Sequence, residues 1–397
     1  MENKPFNLFG GSDAGNTTGK ISFINKEGNI QSISIATLVA PADEKGDPLK
    51  NNNKVSMTDR LHVYIQSKAI KGTYYYVGNF ARDKKDVEQP NGGPKFSSEL
   101  HFVTELTGLA IAAASLEEYY VTHHYAGGLP IEEFKVRGGE FLEKIKGEHK
   151  IEFLDGLFLG KTVTINITGG EVNIEGATTS LALTNDIVNN KIIELPTAKD
   201  FDENDYVLGD LGAGTTDVAL FQEDGLNGIN STNFTFGTNK TIDAIIAEIS
   251  EIQDFKDTHA FLKENNIEIE SPFSNREQFI NQVVKPQVKQ MIKDKKYEPK
   301  FKISWGRVVD VDVTEIVLKH MESYSQEVDK NFKLFSYTKA TNVRNFYLVG
   351  GGVLFGYYYF RNMEFYKLPD IKVIEEAQYF TSRAYLINSF VSQMVGN

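Results

Sequence analysis

A bend rich in acids, glycines and threonines joins two apolar stretches near the middle of this 397-residue chain. The bend runs from Asp210 to Asp217 and holds two acids, two glycines and two threonines within eight residues. Its glycines let a ligand approach the backbone closely, and successive N–H groups at such a turn bind anions. A carboxylate beside that anion suits a divalent cation or its waters. The pattern favours a nucleotide-phosphate site on a β-hairpin over an ordinary glycine-rich turn.

A similar segment lies half a chain earlier. Asp13-Ala14-Gly15 ends a predicted strand and opens a bend rich in glycine and threonine, as Asp210-Leu211-Gly212 does. Two related halves, each with a phosphate-binding hairpin, would hold one nucleotide between them. The first bend contains Gly19-Lys20 but is not a Walker A loop, because Ala14 and Ile21 stand where that loop requires glycine and a hydroxyl.

A run of three glycines, Gly350-Gly351-Gly352, follows a predicted strand at residues 346–349. Such a run permits a ligand to approach the backbone, and a tight turn between a strand and a helix explains it equally well. A dinucleotide-binding fingerprint is excluded, because Phe355 stands in place of its third glycine.

The composition sets wider limits on fold and function. The chain is 41% hydrophobic, which is enough for two or more domains with cores. Its net charge of −12 argues against nonspecific binding to nucleic-acid phosphates, and the lack of cysteine excludes disulfides, thiolate zinc sites and cysteine nucleophiles. Residues 1–9 lack the apolar core of a signal peptide, and no apolar run reaches membrane-spanning length. We therefore expect a cytoplasmic protein.

Periodicity predicts the elements that must position these motifs. Apolar residues at steps of three and four predict a helix over residues 102–120, with Ser97 or Ser98 as its cap, and further helices over 241–250, 276–295, 313–332 and 376–395. Pro286 is expected to interrupt the helix over residues 276–295. Strands are predicted at 121–125 and 162–167, and a surface loop at 41–59. The adjacent residues His123 and His124 would point to opposite faces of a strand, so no histidine metal site is expected.

Taken in order, the two hairpins and the late glycine run resemble the actin-like ATPase superfamily, and most closely its bacterial plasmid-segregation actins of the ParM type. Gly128-Leu129-Pro130 and the stretch from Gln378 to Ile387 support the ParM type. The resemblance implies an α/β, actin-like two-domain fold of duplicated ribonuclease-H-like halves, with a nucleotide in the interdomain cleft. Domain I would comprise residues 1–200 and 371–397, and domain II residues 201–370.

The resemblance also implies roles for individual residues. Asp13 and Asp210 would hold Mg²⁺ through water molecules, and Asp210 would order the attacking water. Glu175 matches a Gln or Glu that positions this water, although its own sequence context favours a solvated residue in an edge turn. The residues expected to bind the nucleotide are Gly15, Asn16, Thr17, Lys20, Gly212, Gly214, Thr215, Thr216, Gly350, Gly351 and Gly352. One departure is Ser382-Arg383, where relatives often carry Asn-Gly; it bears on domain closure or nucleotide preference.

The implied function is that of a filament-forming ATPase or GTPase that segregates plasmid DNA, with hydrolysis timing assembly and disassembly. An acidic chain would reach DNA through a basic adaptor protein bound at a plasmid centromere. The alternative is a non-polymerising kinase or phosphatase of the same superfamily, although no general base for a kinase stands out. We expect neither a chaperone-type ATPase nor a shape-determining actin, since the sequence offers no peptide-binding domain and no amphipathic membrane segment.

Overall fold

A computed structural model describes residues 5–44, 55–70, 73–90, 93–202, 205–273, 275–370, 374 and 376–395. The chain forms two compact units, which are Met1–Asp200 with Tyr379–Asn397, and Phe201–Gln378. Of the predicted loop at 41–59, residues 45–54 lie outside the described residues. Within the described ranges, no helix is both long enough and apolar enough to cross a membrane.

The first unit is built on a mixed β-sheet. Its strands are β1 (Phe6–Leu8), β2 (Gly10–Ala14), β3 (Thr18–Ile24), β4 (Ile30–Ala36), β5 (Val39–Pro41), β6 (Leu61–Gln66), β7 (Tyr74–Val77), β8 (Tyr120–Leu129), β9 (Gly147–Phe153) and β10 (Thr162–Ile174), and a separate hairpin of β11 (Asn185–Val188) and β12 (Lys191–Glu194). The order in the sheet is β4-β3-β2-β8-β10-β9-β6-β7-β5, with β1 beside β8. Strands β2, β3 and β4 are antiparallel neighbours, whereas β2, β8 and β10 run parallel.

Helices of the first unit cover this sheet. They are α1 (Glu99–Ser115), α2 (Ile131–Ile145), α3 (Leu181–Thr184) and a C-terminal helix (Phe380–Val395), with short 3₁₀ turns at Gly78–Ala81, Lys95–Ser97, Thr178–Ser180 and Ala377–Tyr379. Residues 100–114 of α1 are all buried, so this helix is enclosed on every side and not on one face only. It ends before the predicted residue 120, because strand β8 begins there.

Ser98 precedes α1 as predicted, but its side chain does not cap the helix. That side chain accepts from no backbone N–H. Its hydroxyl instead lies 2.7 Å from Nδ1 of His101, and this hydrogen bond takes the place of the cap.

The second unit repeats the same arrangement of strands on a smaller scale. Its strands are β13 (Tyr206–Leu211), β14 (Thr216–Gln222), β15 (Gly225–Leu226), β16 (Thr232–Phe234), β17 (Lys302–Trp305), β18 (Val308–Asp312), β19 (Asn345–Val349) and β20 (Tyr366–Lys367). One sheet has the order β15-β14-β13-β19-β20, with β16 beside β14, and β17 pairs with β18. As in the first unit, an antiparallel hairpin, here β13 and β14, is followed by parallel strands, here β19 and β20.

The remaining helices are α4 (Ala198–Asp202), α5 (Thr238–Ser250), α6 (Gln253–Glu264), α7 (Arg276–Phe279), α8 (Lys285–Lys293), α9 (Thr314–Thr338), α10 (Gly351–Phe355) and α11 (Tyr357–Phe360). The helix predicted over residues 276–295 is interrupted, but just before Pro286 and not at it. A π-helical turn at Ile280–Val284 separates α7 from α8, in which Pro286 is the second residue. Proline has no N–H to donate and its ring crowds the preceding turn, which the wider π turn accommodates.

Candidate functional site

The first acid–glycine bend is a tight turn between β2 and β3 in the first unit. A Cβ added to Gly15 would lie 2.5 Å from the carbonyl oxygen of Thr18, so only glycine fits there. Thr37 secures the turn, since its N–H donates to the carbonyl of Thr17 at 2.9 Å and its hydroxyl donates to that of Gly15 at 2.7 Å. Asn16 is exposed. The bend is therefore held from within the fold while its tip reaches solvent.

Asp13, at the end of β2, is buried and paired with Lys20 across the hairpin. Nζ of Lys20 lies 2.7 Å from Oδ2 of Asp13. Burial alone would raise the pKa of the Asp13 carboxyl, but the charges of Lys20 and then Lys95 outweigh it and hold the pKa below its usual range. The carboxylate therefore stays ionised at neutral pH, as a cation-binding group must.

Glu175 follows the end of β10 and is not a solvated residue. Its backbone N–H donates to the carbonyl of Leu129 at 3.0 Å, which fixes it beside the end of β8. Oε1 of Glu175 lies 2.7 Å from Nζ of Lys95, and the two side chains are only 12% and 10% exposed. The edge-turn interpretation from the sequence alone is therefore wrong about solvation. Lys95 was missed because nothing in its own sequence context marks it as the partner of a residue 80 positions away.

A small cavity beside the first hairpin contains a second buried acid. It is lined by Ser12, Asp13, Gly19, His101, Thr104 and Glu105, among others. Glu105 accepts a hydrogen bond of 2.9 Å from the hydroxyl of Tyr125, and burial, aided by the charge of Asp13, raises the pKa of Glu105 to about 7. Burial, aided by the charge of Lys95, lowers the pKa of His101 to about 4. The one feature of the sequence that could have drawn attention to Glu105 is its position as an acid within an apolar helical stretch.

The second acid–glycine bend joins β13 to β14 in the second unit. The N–H of Gly212 donates to the carbonyl of Thr215 at 2.9 Å, and a Cβ at Gly212 would lie 2.7 Å from that same oxygen. Gly214 is exposed and Thr215 is half-buried. Thr216 is fully buried, and its hydroxyl donates to the carbonyl of Phe236 at 3.2 Å. The turn thus repeats the first hairpin, with the Thr216 hydroxyl turned towards the fold.

The late glycine run lies against this second bend. Strand β19 runs parallel to β13 and pairs Val349 with Asp210. Gly350 has φ of +89°, and a Cβ on it would lie 2.3 Å from Oδ1 of Asp210. A Cβ on Gly352 would lie 2.6 Å from Cβ of Leu211. Packing therefore requires glycine at positions 350 and 352, which agrees with the interpretation of this run as a tight turn between a strand and a helix. Gly351 begins α10, is exposed, and has no atom of the described fold within 4 Å of an added Cβ, so packing does not account for it.

Ser382 and Arg383 bind the C-terminal helix to strands of the first unit. The carbonyl oxygen of Ser382 would lie 2.3 Å from a Cβ on Gly11, so β2 and this helix meet at van der Waals contact. The hydroxyls of Ser382 and Ser22 are 2.8 Å apart. Arg383 is buried and its Nη2 lies 3.0 Å from Oδ1 of Asp186. The departure from the Asn-Gly pattern is therefore accommodated by an ion pair inside the first unit.

The acids of the two hairpins are the cation-binding candidates. In the part of the chain that the structure describes, no three His, Asp or Glu side chains are grouped so that they could hold a metal ion directly. His123 is buried with Nδ1 2.9 Å from the carbonyl oxygen of Leu8, and His124 is half-buried on the other face of β8.

Solved structures identify the relatives of this chain. No protein-family model and no curated protein sequence matches it. Bacillus thuringiensis ParM in its apo form is 38% identical, with 98% of each chain covered and a TM-score of 0.72. The same protein with ATP is 37% identical, covering 98% of this chain and 99% of that one, with a TM-score of 0.81. The actin-like protein Alp7A, at 16% identity, 97% and 96% coverage and a TM-score of 0.67, shares the fold. The actin-like α/β fold predicted from the sequence is confirmed.

Proposed function

The chain belongs to the ParM family of actin-like proteins, and from that premise we propose that it hydrolyses ATP and assembles into filaments whose turnover hydrolysis controls. The observation that carries this proposal is the similarity, over nearly the whole chain, to a ParM solved with ATP. Structures of the same relative with ADP and AMPPNP add support. Domain I would comprise residues 1–200 and 371–397, and domain II residues 201–370, as the sequence predicts.

The first hairpin would bind phosphate through its backbone. Gly15, Asn16 and Thr17 belong to a turn whose tip is exposed, and Lys20 adds positive charge beside it. The N–H of Gly15 donates to the carbonyl of Asp13 at 3.0 Å and shapes the turn, so the phosphate contacts are assigned to the N–H groups of Asn16 and Thr17. Mg²⁺ would neutralise charge on the phosphates when bound. Asp13 fits such an ion, since its pKa lies below the usual range and its carboxylate is ionised.

The second hairpin would bind phosphate in the same way as the first. Gly212, Gly214 and Thr215 form a turn of the same kind, and Asp210 stands at its strand end as Asp13 does in the first hairpin. Gly350 and Gly352 keep the chain close to Asp210, and the exposed Gly351 is proposed to lie against the adenine and ribose.

Hydrolysis by this chain would rest on positioning of a water molecule. Phosphoryl transfer needs orientation of the attacking oxygen and stabilisation of charge more than covalent chemistry. We assign the orientation to Asp210 and Glu175. Glu175 is suited to it because its backbone is bonded to Leu129 and its carboxylate is held by Lys95, so that its oxygens have a fixed position.

The proposed biological role is plasmid segregation. Polymerisation would make a second copy of this chain the first partner. The net charge of −12 disfavours direct contact with DNA, so a basic adaptor bound at a plasmid centromere is the proposed second partner. Salt dependence would identify such a link, because adaptor binding to the acidic surface weakens as ionic strength rises.

The experiment that tests the enzymatic proposal measures nucleotide affinity and phosphate release. Fluorescent ATP and GTP analogues are titrated with Mg²⁺ into the wild type, Asp210→Asn and the surface control Asp254→Asn, whose side chain is exposed on α6. We expect binding by all three proteins, hydrolysis by the wild type and Asp254→Asn, and a loss of hydrolysis of about a hundredfold in Asp210→Asn. Undiminished hydrolysis in Asp210→Asn would refute the assignment, and failure of the wild type to bind either nucleotide would refute the function.

A further inference from the structure

Lys95 and Glu175 form a largely buried ion pair beside the first hairpin. Nζ of Lys95 and Oε1 of Glu175 are 2.7 Å apart, with 10% and 12% of the two side chains exposed. Most ion pairs on a protein surface hold neither side chain firmly, because water and salt screen them. Here both groups have left bulk water, so loss of either partner would leave a charge in a poorly solvated position. The pair therefore fixes the Glu175 carboxylate.

The backbone that carries Lys95 is itself anchored. Lys95 begins the 3₁₀ turn that precedes α1. Both carboxylate oxygens of Glu133 on α2 accept from this turn, one from the N–H of Lys95 at 3.2 Å and the other from that of Phe96 at 3.1 Å. The position of the Lys95 ammonium is therefore set by α2 as well as by its ion pair.

The charge of Lys95 also acts on the first hairpin. It is the second cation, after Lys20, that lowers the pKa of Asp13 against the effect of burial. It also adds to the lowering of the pKa of His101, for which burial is the main cause. Asp13 has its own direct partner in Lys20, at 2.7 Å, which keeps it ionised without Lys95. Glu175 is the acid that Lys95 contacts directly, so Glu175 is the one whose position depends on this ammonium.

We propose that Lys95 is a positioning residue for hydrolysis, which fixes the orientation of Glu175 and through it the attacking water. This inference rests on the proposed function and adds to it a residue that no motif marks. Misplacing a catalytic group by about 1 Å lowers rates by roughly a hundredfold, so the loss of the ammonium has a kinetic consequence larger than its effect on ATP affinity.

The test is a kinetic double-mutant cycle on full-length protein at a concentration where it pellets. Phosphate release and the Kd for a fluorescent ATP analogue are measured for the wild type, Lys95→Met, Glu175→Gln and the double variant. We expect Lys95→Met to lower kcat by about tenfold or more, with a smaller rise in Kd. In the Glu175→Gln background the same substitution has no further effect on kcat, because Lys95 acts through Glu175. If the two substitutions lower kcat by independent factors, so that the loss in the double variant is the product of the two single losses, the proposal is overturned.

Two further variants separate positioning from a general effect on folding. Lys95→Arg keeps the charge and is expected to recover most of kcat, whereas Lys144→Met removes a cation bound to the same turn and is expected to leave kcat unchanged. Should Lys95→Met lose its helical circular dichroism, the cycle is run with Glu133→Gln, which removes one of the two acceptors of the turn. It is expected to lower kcat in the wild-type background only.

The outcomes distinguish this inference from the function on which it rests. A wild type that binds ATP analogue but releases no phosphate at any polymer concentration refutes the proposed function. A wild type that hydrolyses ATP, beside a folded Lys95→Met variant with the same kcat, overturns only the role of Lys95. Equal losses in Lys95→Met and Lys144→Met also overturn it, since they show a requirement for the turn and not for the ion pair.

Discussion

The carboxyl group of Glu105 makes the stability of the first unit depend on pH. It lies on α1, is almost fully buried, and accepts a hydrogen bond of 2.9 Å from the hydroxyl of Tyr125. Burial is the main cause that raises its pKa from 4.5 to about 7. At about 1.4 kcal/mol for each tenfold change in proton affinity, this rise corresponds to roughly 3 kcal/mol of folding free energy.

The sign of the effect follows from which state holds the proton. Below pH 4.5 the carboxyl is protonated in the folded and the unfolded chain, and the full contribution to stability is present. Between pH 4.5 and about 7 the folded chain keeps a proton that the unfolded chain releases, so the free energy of unfolding falls as the pH rises. Above pH 7 both states are ionised and the contribution is lost. The substitution Glu105→Gln removes this dependence.

The assay must report on the first unit, because the single tryptophan, Trp305, belongs to the second. Hydrogen exchange of α1 peptides in urea, corrected for intrinsic exchange rates, gives its opening free energy at pH 5 and pH 7.5. We expect the wild type to lose about 2 to 3 kcal/mol more than Glu105→Gln between these values. His101 and His123, whose pKa values burial lowers to about 4, act in the opposite direction in both proteins and cancel in the difference. Equal pH dependence of the two proteins would refute the reasoning.

Two more predictions concern packing around the proposed site. Gly350→Ala forces a side chain into φ of +89° and against Asp210. Urea unfolding followed by tryptophan fluorescence should show that the free energy of unfolding falls by at least about 2 kcal/mol. The matched variant Gly351→Ala meets no atom, and its free energy of unfolding should not fall. Arg383→Met leaves Asp186 without its ion-pair partner; hydrogen exchange should show the C-terminal helix destabilised by about 2 kcal/mol, and wild-type protection would contradict this.

The sequence predicted the parts of the site that local rules govern. The hairpins at Asp13 and Asp210 follow from acids and glycines at short spacing between apolar runs, and the structure has strands that end at Ala14 and Leu211. The turn at Gly350 follows in the same way, from a glycine run at the end of a strand. Pro286 marked the break between α7 and α8 because a missing N–H is a local property of one residue.

What the sequence did not predict depends on contacts between distant residues. Lys95 meets Glu175 across 80 positions, and Tyr125 meets Glu105 across 20, so no spacing rule relates either pair. The burial of α1 on every side was missed because periodicity reports one apolar face, while the sheet and its other neighbours enclose the rest. The ion pair of Arg383 depends likewise on where β11 lies.

The central claim, that nucleotide hydrolysis drives a cycle of assembly, is tested most directly by light scattering and pelleting with simultaneous phosphate release. Purified protein is mixed with Mg²⁺ and ATP, GTP or no nucleotide. We predict polymer that forms on addition of the preferred nucleotide and dissolves as phosphate accumulates. Protein that hydrolyses nucleotide and stays monomeric at every concentration would contradict the claim and favour a non-polymerising enzyme of the actin superfamily.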